Sequence, residues 1–309
     1  MEYRVYKLKF HTAVHFGNGR LSSTESALKA DTLFSAMCIE AGKVGKLEEL
    51  YQYAQSGQLK ITDTMPYIDG ELQLPKPLLT MEWKEDGNSV LKKRLKKLKY
   101  IPVGDFSSFL KGEIHYITEK DEKTKKLGQS KSMTKAAIYG LAETMPYHVG
   151  SFRFTEGCGL YFLAATETKA SLSLLDELMQ ALSLVGLGGK RSSGFGKFSF
   201  TTETLPPEIQ ERLKNLEKYK VYMTLSGAMA KMEELSDCLE NANYLLEKRS
   251  GFIFSDQVLG SVKKQDLHVF AAGSCFTHLF VGDIFDVSNG SSHAVYRYAK
   301  PFFMGVSYE

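Results

Sequence analysis

The chain has 309 residues, 43% of them hydrophobic and 24% charged, and its 39 Lys and Arg against 36 Asp and Glu leave a formal net charge of +3. That is enough chain for one or two folded domains, and the near-neutral balance excludes a polycationic coat protein, so any nucleic-acid binding must rest on local charge. Cys38, Cys158, Cys238 and Cys275 lie too far apart for a zinc set, the alternating, charged Met1–Phe10 does not read as a signal peptide, and no apolar run nears the roughly 18 residues of a membrane helix. Free thiols in a cytoplasmic protein without cofactor or metal are the expectation.

Along the chain, Tyr3–His11 alternates, with Tyr6, Leu8 and Phe10 on one side and Lys7, Lys9 and His11 on the other. This is the pattern of a half-buried strand with a basic face. A turn-rich stretch follows, His15-Phe16-Gly17-Asn18-Gly19-Arg20. Asp31 is a good N-cap, and Leu33, Phe34, Met37 and Ala41 share one side of a helix expected to stop near Gly42. A second strand is expected around Leu59–Ile61, after which Pro66, Pro75 and Pro77 interrupt regular structure.

From about Asp69 to Val149 the chain reads as a long, irregular, lysine-rich insertion. Inside it, Leu91, Leu95 and Leu98 recur at helical spacing among Lys92, Lys93, Arg94, Lys96, Lys97 and Lys99. The basic side of such a helix could track a phosphate backbone, meet a neighbouring subunit or face solvent. The polar Glu119–Lys135 is expected to be mobile until a partner binds.

Order resumes over Ser151–Ala165, read as two short strand halves about Glu156-Gly157-Cys158-Gly159. Ser171–Leu184 reads as a helix, with Ser173 and Asp176 at capping-box spacing and an apolar stripe of Leu175, Leu178, Leu182 and Val185. A strand is expected at Lys197–Thr202, and Pro206-Pro207 marks a boundary. The order strand, helix, strand, insertion, strand, helix, strand is the βαββαβ pattern of a ferredoxin-like (RRM-type) unit.

The expected fold class is therefore α+β, with two ferredoxin-like domains. Residues 1–205 form the first, with the insertion at about 70–150, and residues 206–309 the second. Strand candidates in the latter are Tyr219–Leu225, Ile253, Val269–Phe270, Phe280–Phe285 and Phe302–Val306. Lys190-Arg191-Ser192-Ser193-Gly194-Phe195 recurs one residue shorter as Lys248-Arg249-Ser250-Gly251-Phe252, an echo that fits duplication or shared use.

The strongest local signal is Gly186–Phe198, between the last helix and strand of the first unit. Its glycines permit positive φ and close backbone approach, and exposed amides in such a turn can cradle phosphates. Lys190 and Arg191 add charge at the same place, Ser192 and Ser193 add hydroxyl donors, and Phe195 either packs inward or offers a stacking face. The spacing fits neither a Walker A loop, because Lys190 is followed by Arg191, nor the GxGxxG dinucleotide fingerprint. His15 raises the alternative of a metal-independent endoribonuclease, with Tyr3, Lys7, Lys9 or His11 as nearby helpers. Scattered acids such as Asp283 and Asp286 suggest no two-metal site.

Four stretches in order carry a family likeness. They are His15-Phe16-Gly17 with Ala30–Ala36; Leu74-Pro75-Lys76-Pro77; the glycine-rich loop; and Ala271-Ala272-Gly273-Ser274 with His293-Ala294-Val295 and Tyr298–Phe303. On these the chain resembles the RAMP superfamily of CRISPR–Cas proteins and, more narrowly, the fourth Csm subunit of type III-A effector complexes. The resemblance implies a noncatalytic, RNA-binding subunit that caps the 5′ repeat-derived handle of the CRISPR RNA. It also implies contacts with a large polymerase-like subunit and a repeated backbone RAMP subunit, and a thumb within Gly112–Pro146 near target RNA. Carried onto this chain, RNA contacts are expected at Gly188, Gly189, Lys190, Arg191, Ser192, Ser193 and Gly194; at Phe16, Gly17, Gly19 and Arg20; at Asp31 and Ser35; and at Arg249, Ser250 and Gly251.

Overall fold

Residues 1–205 form, in order, β1 (Glu2–Phe10), α1 (Ala30–Lys43), α2 (Leu47–Ser56), β2 (Leu59–Ile61), β3 (Met65–Ile68), β4 (Glu71–Pro75), α3 (Ser89–Lys97), β5 (Tyr100–Pro102), α4 (Phe106–Leu110), β6 (Gly128–Ala137), β7 (Met145–Phe154), β8 (Gly159–Thr166), α5 (Lys169–Val185) and β9 (Phe198–Glu203). The computed structural model describes residues 1–80, 89–113, 126–137, 144–253, 262–290 and 293–307. The main sheet runs β5-β4-β3-β8-β1-β9, with β2 also on β8, and neighbouring strands are antiparallel. β1 thus lies between β8 and β9, with β2 and β3 beyond β8. This is the spatial order 4-1-3-2 of the βαββαβ pattern expected for this half.

The sheet is covered on both faces, which explains why all eight residues of β8 are buried. Leu160, Phe162 and Ala164 join Tyr6, Leu8, Phe34 and Leu175 in a core under the helices. Tyr161, Leu163 and Ala165 join Val5 in a second core with Met223, Leu225, Phe302 and Met304 of the C-terminal half. The expected basic face of β1 is therefore interrupted: Val5 is fully buried there, Lys7 meets Glu203 at 3.3 Å, and Lys9 is exposed.

Both helix caps differ from the sequence-based expectation. At α1 the N-cap is Lys29, and the Ala30 amide donates to Asp63 Oδ1 at 2.9 Å, so the cap is supplied by a distant chain segment. α5 opens with a Thr168/Ser171 capping box, in which the Ser171 amide donates to Thr168 Oγ1 at 3.1 Å. Asp176 instead accepts from the Tyr6 hydroxyl at 2.6 Å.

Much of the insertion is regular rather than irregular. β4 and β5 widen the main sheet, and α3 does lay Leu95 into the second core. β6 and β7 form a hairpin in register from Gly128↔Phe154 to Ala137↔Met145. Its base is tied to the body by the Val14↔Phe152 bridge, while its outer residues are largely exposed. Residues 128–135, expected to be mobile, are strand here; residues 114–125 and 138–143 of the expected thumb lie outside the described residues.

The C-terminal half comprises α6 (Pro207–Lys214), β10 (Val221–Thr224), α7 (Leu235–Leu239), β11 (Leu246–Arg249), β12 (Leu267–Phe270), β13 (Cys275–Phe276), β14 (Asp283–Asp286), β15 (Tyr296–Ala299) and β16 (Phe303–Ser307). β10 is the centre of a three-stranded sheet β13-β10-β16; β11 pairs with β12, and β14 with β15. Tyr298 on β15 enters the helix-side core and lies tilted against Phe34 at 5.3 Å between ring centroids. All four cysteines are free. Among the described residues, no group of His, Cys, Asp and Glu could hold a metal ion, and no helix is long and apolar enough to cross a membrane.

Candidate nucleic-acid interface

Residues 186–198 leave α5 and are drawn against the turn that follows β1. The Gly189 amide donates to the His15 carbonyl at 2.8 Å and the Gly196 amide to the Ala13 carbonyl at 2.9 Å. Gly188 has φ +91, and a Cβ there would stand 2.7 Å from the His15 carbonyl oxygen, so only glycine fits this approach. Lys190 and Gly194, both left-handed, bracket one 3₁₀ turn over Arg191–Ser193. Among the described residues the amides of Gly188 and Lys190 meet no acceptor, which leaves them as donors for an anion.

The side chains of this loop divide between packing and solvent. Phe195 is buried, with Lys135 of the hairpin 5.5 Å over its ring. Lys190 reaches back over the Tyr147 ring at 5.3 Å, so loop and hairpin exchange two cation–π contacts. Arg191 Nη1 lies 4.0 Å from the buried carboxylate of Glu40, which also accepts from Lys43 at 2.8 Å. Ser192, Ser193 and Gly194 are exposed.

The loop borders a cleft of about 1390 Å³ whose other walls come from the turn after β1, the first turns of α1, the end of α3 and the C-terminal half. Eleven of its lining residues are Lys or Arg and four are Asp or Glu. A chain whose net charge is only +3 thus concentrates its positive charge in one concavity, the footprint expected of a polyanion site.

Of the residues expected at RNA, Phe16, Gly17, Gly19, Asp31, Ser35, Gly188, Gly189, Lys190, Arg191, Ser192, Arg249, Ser250 and Gly251 line this cleft together. Arg20, Ser193 and Gly194 are exposed outside its lining. Phe16 contributes packing more than contact: it is buried, edge-on to Phe10 at 5.9 Å. The echo is placed here too, although Arg249 is already engaged. Its Nε and Nη2 donate to Asp31 at 3.0 and 2.9 Å, and Nη1 donates to Glu247 at 3.2 Å.

Asp31 is not the helix cap; its carboxylate ties α1 to the C-terminal half. Arg297 Nη1 adds a third charged bond to it at 2.7 Å. Burial alone would raise the Asp31 pKa, but the Arg249 and Arg297 guanidiniums hold it below the ordinary carboxylate value. Lys29 bridges Asp63 at 3.3 Å and Glu247 at 2.7 Å beside it.

Sequence reasoning missed Lys29, Lys264 and Arg297, which also line the cleft, as do Lys76 and Lys197, which lie in stretches already singled out but were not named as contacts. Lys29, Lys264 and Arg297 come from separate segments, and the local signal among them was an arginine inside the largely buried strand β15. The basic helix α3 finds a placement as well, because Lys96 and, just beyond its end, Lys99 line the same cleft. His15 also lines it, with Nδ1 at 2.7 Å from the Gly150 carbonyl oxygen. A carbonyl only accepts, so Nδ1 carries the proton. Its suggested helpers are elsewhere: His11 is bonded to Ser199 at 2.9 Å, Lys7 faces Glu203, and Tyr3 lies edge-on to Phe302 at 6.2 Å.

Residues 217–306 match the family model described as the CRISPR Csm4 C-terminal domain. A "CRISPR system Cms protein Csm4" of Mycobacterium tuberculosis is 37% identical over 99% of this chain and 98% of its own length. A protein of the same name from Streptococcus thermophilus is 35% identical, with 98% of both chains covered. Among solved structures, a Csm3–Csm4 subcomplex of a type III-A CRISPR–Cas interference complex has a chain that superposes with TM-score 0.68 at 18% identity, covering 99% of both chains. A Csm1–Csm4 cassette bound to pppApA has one with TM-score 0.61 at 18% identity, covering 99% of this chain and 98% of that one.

Proposed function

Because the chain belongs to the Csm4 family of CRISPR proteins, we propose that it is a noncatalytic RNA-binding subunit of a cytoplasmic type III-A effector complex and holds the 5′ repeat-derived handle of the CRISPR RNA in the cleft beside residues 186–198. The observation that carries this reading is the cleft itself: eleven cations against four acids, around a loop with two unpaired amides. RNA at such a site would be gripped through phosphates and 2′-hydroxyls, with bases splayed from the strand.

The covered sheet supports the same placement. An RRM-type sheet usually offers its open face to RNA, with aromatic residues stacking on bases. Here that face packs on Met223, Leu225 and Phe302, so the cleft at the sheet's end is the available surface. The two-domain reading follows, with residues 1–205 as a complete ferredoxin-like unit and residues 206–309 as a reduced one built around β10. By analogy with the Csm3–Csm4 and Csm1–Csm4 assemblies, this chain would bridge a backbone subunit to the large subunit. The β6–β7 hairpin, with its exposed outer half, would be the thumb beside target RNA.

The noncatalytic assignment draws support from His15, because three of its suggested helpers, Tyr3, Lys7 and His11, have partners away from its ring. Incubation of the chain with repeat RNA in EDTA should leave the RNA intact; cleavage that His15→Ala abolishes would make it an endoribonuclease instead. The test of the main reading is to purify the tagged protein from its native cells and sequence the RNA that accompanies it. CRISPR RNAs sharing one repeat-derived 5′ end are expected. An intact preparation carrying no defined RNA would overturn the handle role.

A further inference from the structure

The cleft contains a second group of cations, apart from the glycine-rich loop, whose hydrogen bonding is incomplete. The Arg297 side chain, on β15, is 5% exposed. Its Nη1 donates to Asp31, but its buried Nε has no acceptor. Such an unmet donor on a charged, buried group is costly and calls for an explanation.

Asp31 cannot supply the missing acceptor. Its Oδ1 accepts from Arg249 Nη2 and Thr32 Oγ1, and its Oδ2 from Arg249 Nε and Arg297 Nη1. Those four donors fill the roughly four lone-pair sites of a carboxylate. The other acids nearby are also engaged: Glu247 holds Arg249 and Lys29, and Asp266 holds Lys248 and Lys263.

Lys264 adds a second unanswered charge on the same wall. Its ammonium reaches the Ser35 hydroxyl at 3.5 Å, and among the described residues no carboxylate comes within salt-bridge distance. Burial and the neighbouring Arg297 both lower its pKa, against the pull of Asp31. Two adjacent cations and a hydroxyl, with the local acids already occupied, lack one anion with several acceptor oxygens.

We infer that Lys264, Arg297 and Ser35 form a second phosphate subsite, which takes one phosphodiester of the RNA separately from the glycine-rich loop. This rests on the RNA-binding reading and deepens it. A phosphodiester suits the site because the subsite opens into the same cleft as Gly188–Ser192, so one strand can meet both. Its non-bridging oxygens can accept from the ammonium, the guanidinium and the hydroxyl together.

The test uses the full chain and the repeat-derived handle RNA, intact and in a series with one phosphate at a time replaced by an uncharged methylphosphonate. Wild type should lose roughly tenfold or more in affinity at one position owed to this subsite, the worth of a charge-assisted hydrogen bond. Lys264→Gln should weaken binding of intact RNA by a similar factor and become indifferent to that one replacement, while Lys264→Arg restores both affinity and sensitivity. If wild type binds the RNA and Lys264→Gln matches it in affinity and in the whole replacement profile, the subsite is overturned and the RNA-binding reading stands. An acidic side chain of a partner subunit as the true occupant would give that same result. If wild type does not bind the RNA, the function reading falls and the subsite falls with it.

Discussion

Residues 190–195 and residues 248–252 spell nearly the same peptide, and residues 190–192 of the first line one cleft with the second, yet the two are held there differently. In the first, Phe195 is 8% exposed and anchors a glycine-shaped loop, leaving Ser192 and Gly194 outside. In the second, Phe252 is 65% exposed, and the anchor is Arg249, fixed on Asp31 and Glu247. One copy packs through its aromatic ring and presents backbone amides; the other packs through its guanidinium. What a Lys-Arg-Ser-Gly-Phe peptide does is set by the acids and cavities around it, and the letters alone do not assign a ligand.

The sharpest way to break this comparison is to truncate both rings. Phe195→Ala should cost about 3–5 kcal/mol, as for a buried aromatic, whereas Phe252→Ala should stay within about 0.5 kcal/mol. Midpoints of denaturant unfolding read both, and equal midpoints would erase the distinction. Removing the anchor of the second copy comes next. Asp31→Asn leaves the buried Arg297 and the half-buried Arg249 without their shared carboxylate and should cost about 3–5 kcal/mol.

The Asp31 link also fixes a pH signature. Its folded pKa lies below the unfolded value of about 3.9, so the native state binds fewer protons in that range. The stabilisation is complete above roughly pH 4 to 5 and is lost as pH falls through the folded value. Wild type should therefore lose stability on acidification more steeply than Asp31→Asn, as acid titrations of melting temperature would show.

Smaller effects are expected on RNA. Lys190→Ala with Arg191→Ala should weaken handle binding and flatten the slope of log K against log salt by about 1.4, two single-strand phosphate contacts. An unchanged affinity and slope would remove those two side chains from the interface. Lys96→Ala with Lys99→Ala should change the slope by at most about 0.7, since both ammonium groups are exposed and well screened. If RNA binding holds but co-purification of a partner subunit is lost, α3 faces protein instead.

Much of the first half was legible because its signals are local. Alternation in β1, the apolar stripes of α1 and α5 and the glycine spacing of residues 186–198 each arise within a dozen or so residues. The β6–β7 hairpin was not legible, because its outer half is largely exposed and needs no apolar alternation: Thr134-Lys135-Ala136-Ala137 pairs with His148, Tyr147, Pro146 and Met145. The role of Asp31 was misread for a related reason. Its partners stand 218 and 266 residues away, and an acid at the start of a helix looks the same whether it caps the helix or ties down distant arginines. Lys264 and Arg297 were invisible in the same way, since only the fold brings them beside Ser35.

The central claim is that RNA lies in the cleft and not on the sheet or the outer surface. Ultraviolet crosslinking of the RNA-loaded protein, with the crosslinked peptides identified by mass spectrometry, tests it most directly. The account predicts adducts within residues 186–198 and within residues 245–252, which line the cleft from two sides. Adducts confined to residues outside the cleft, with both segments unmodified in a preparation that carries RNA, would contradict it.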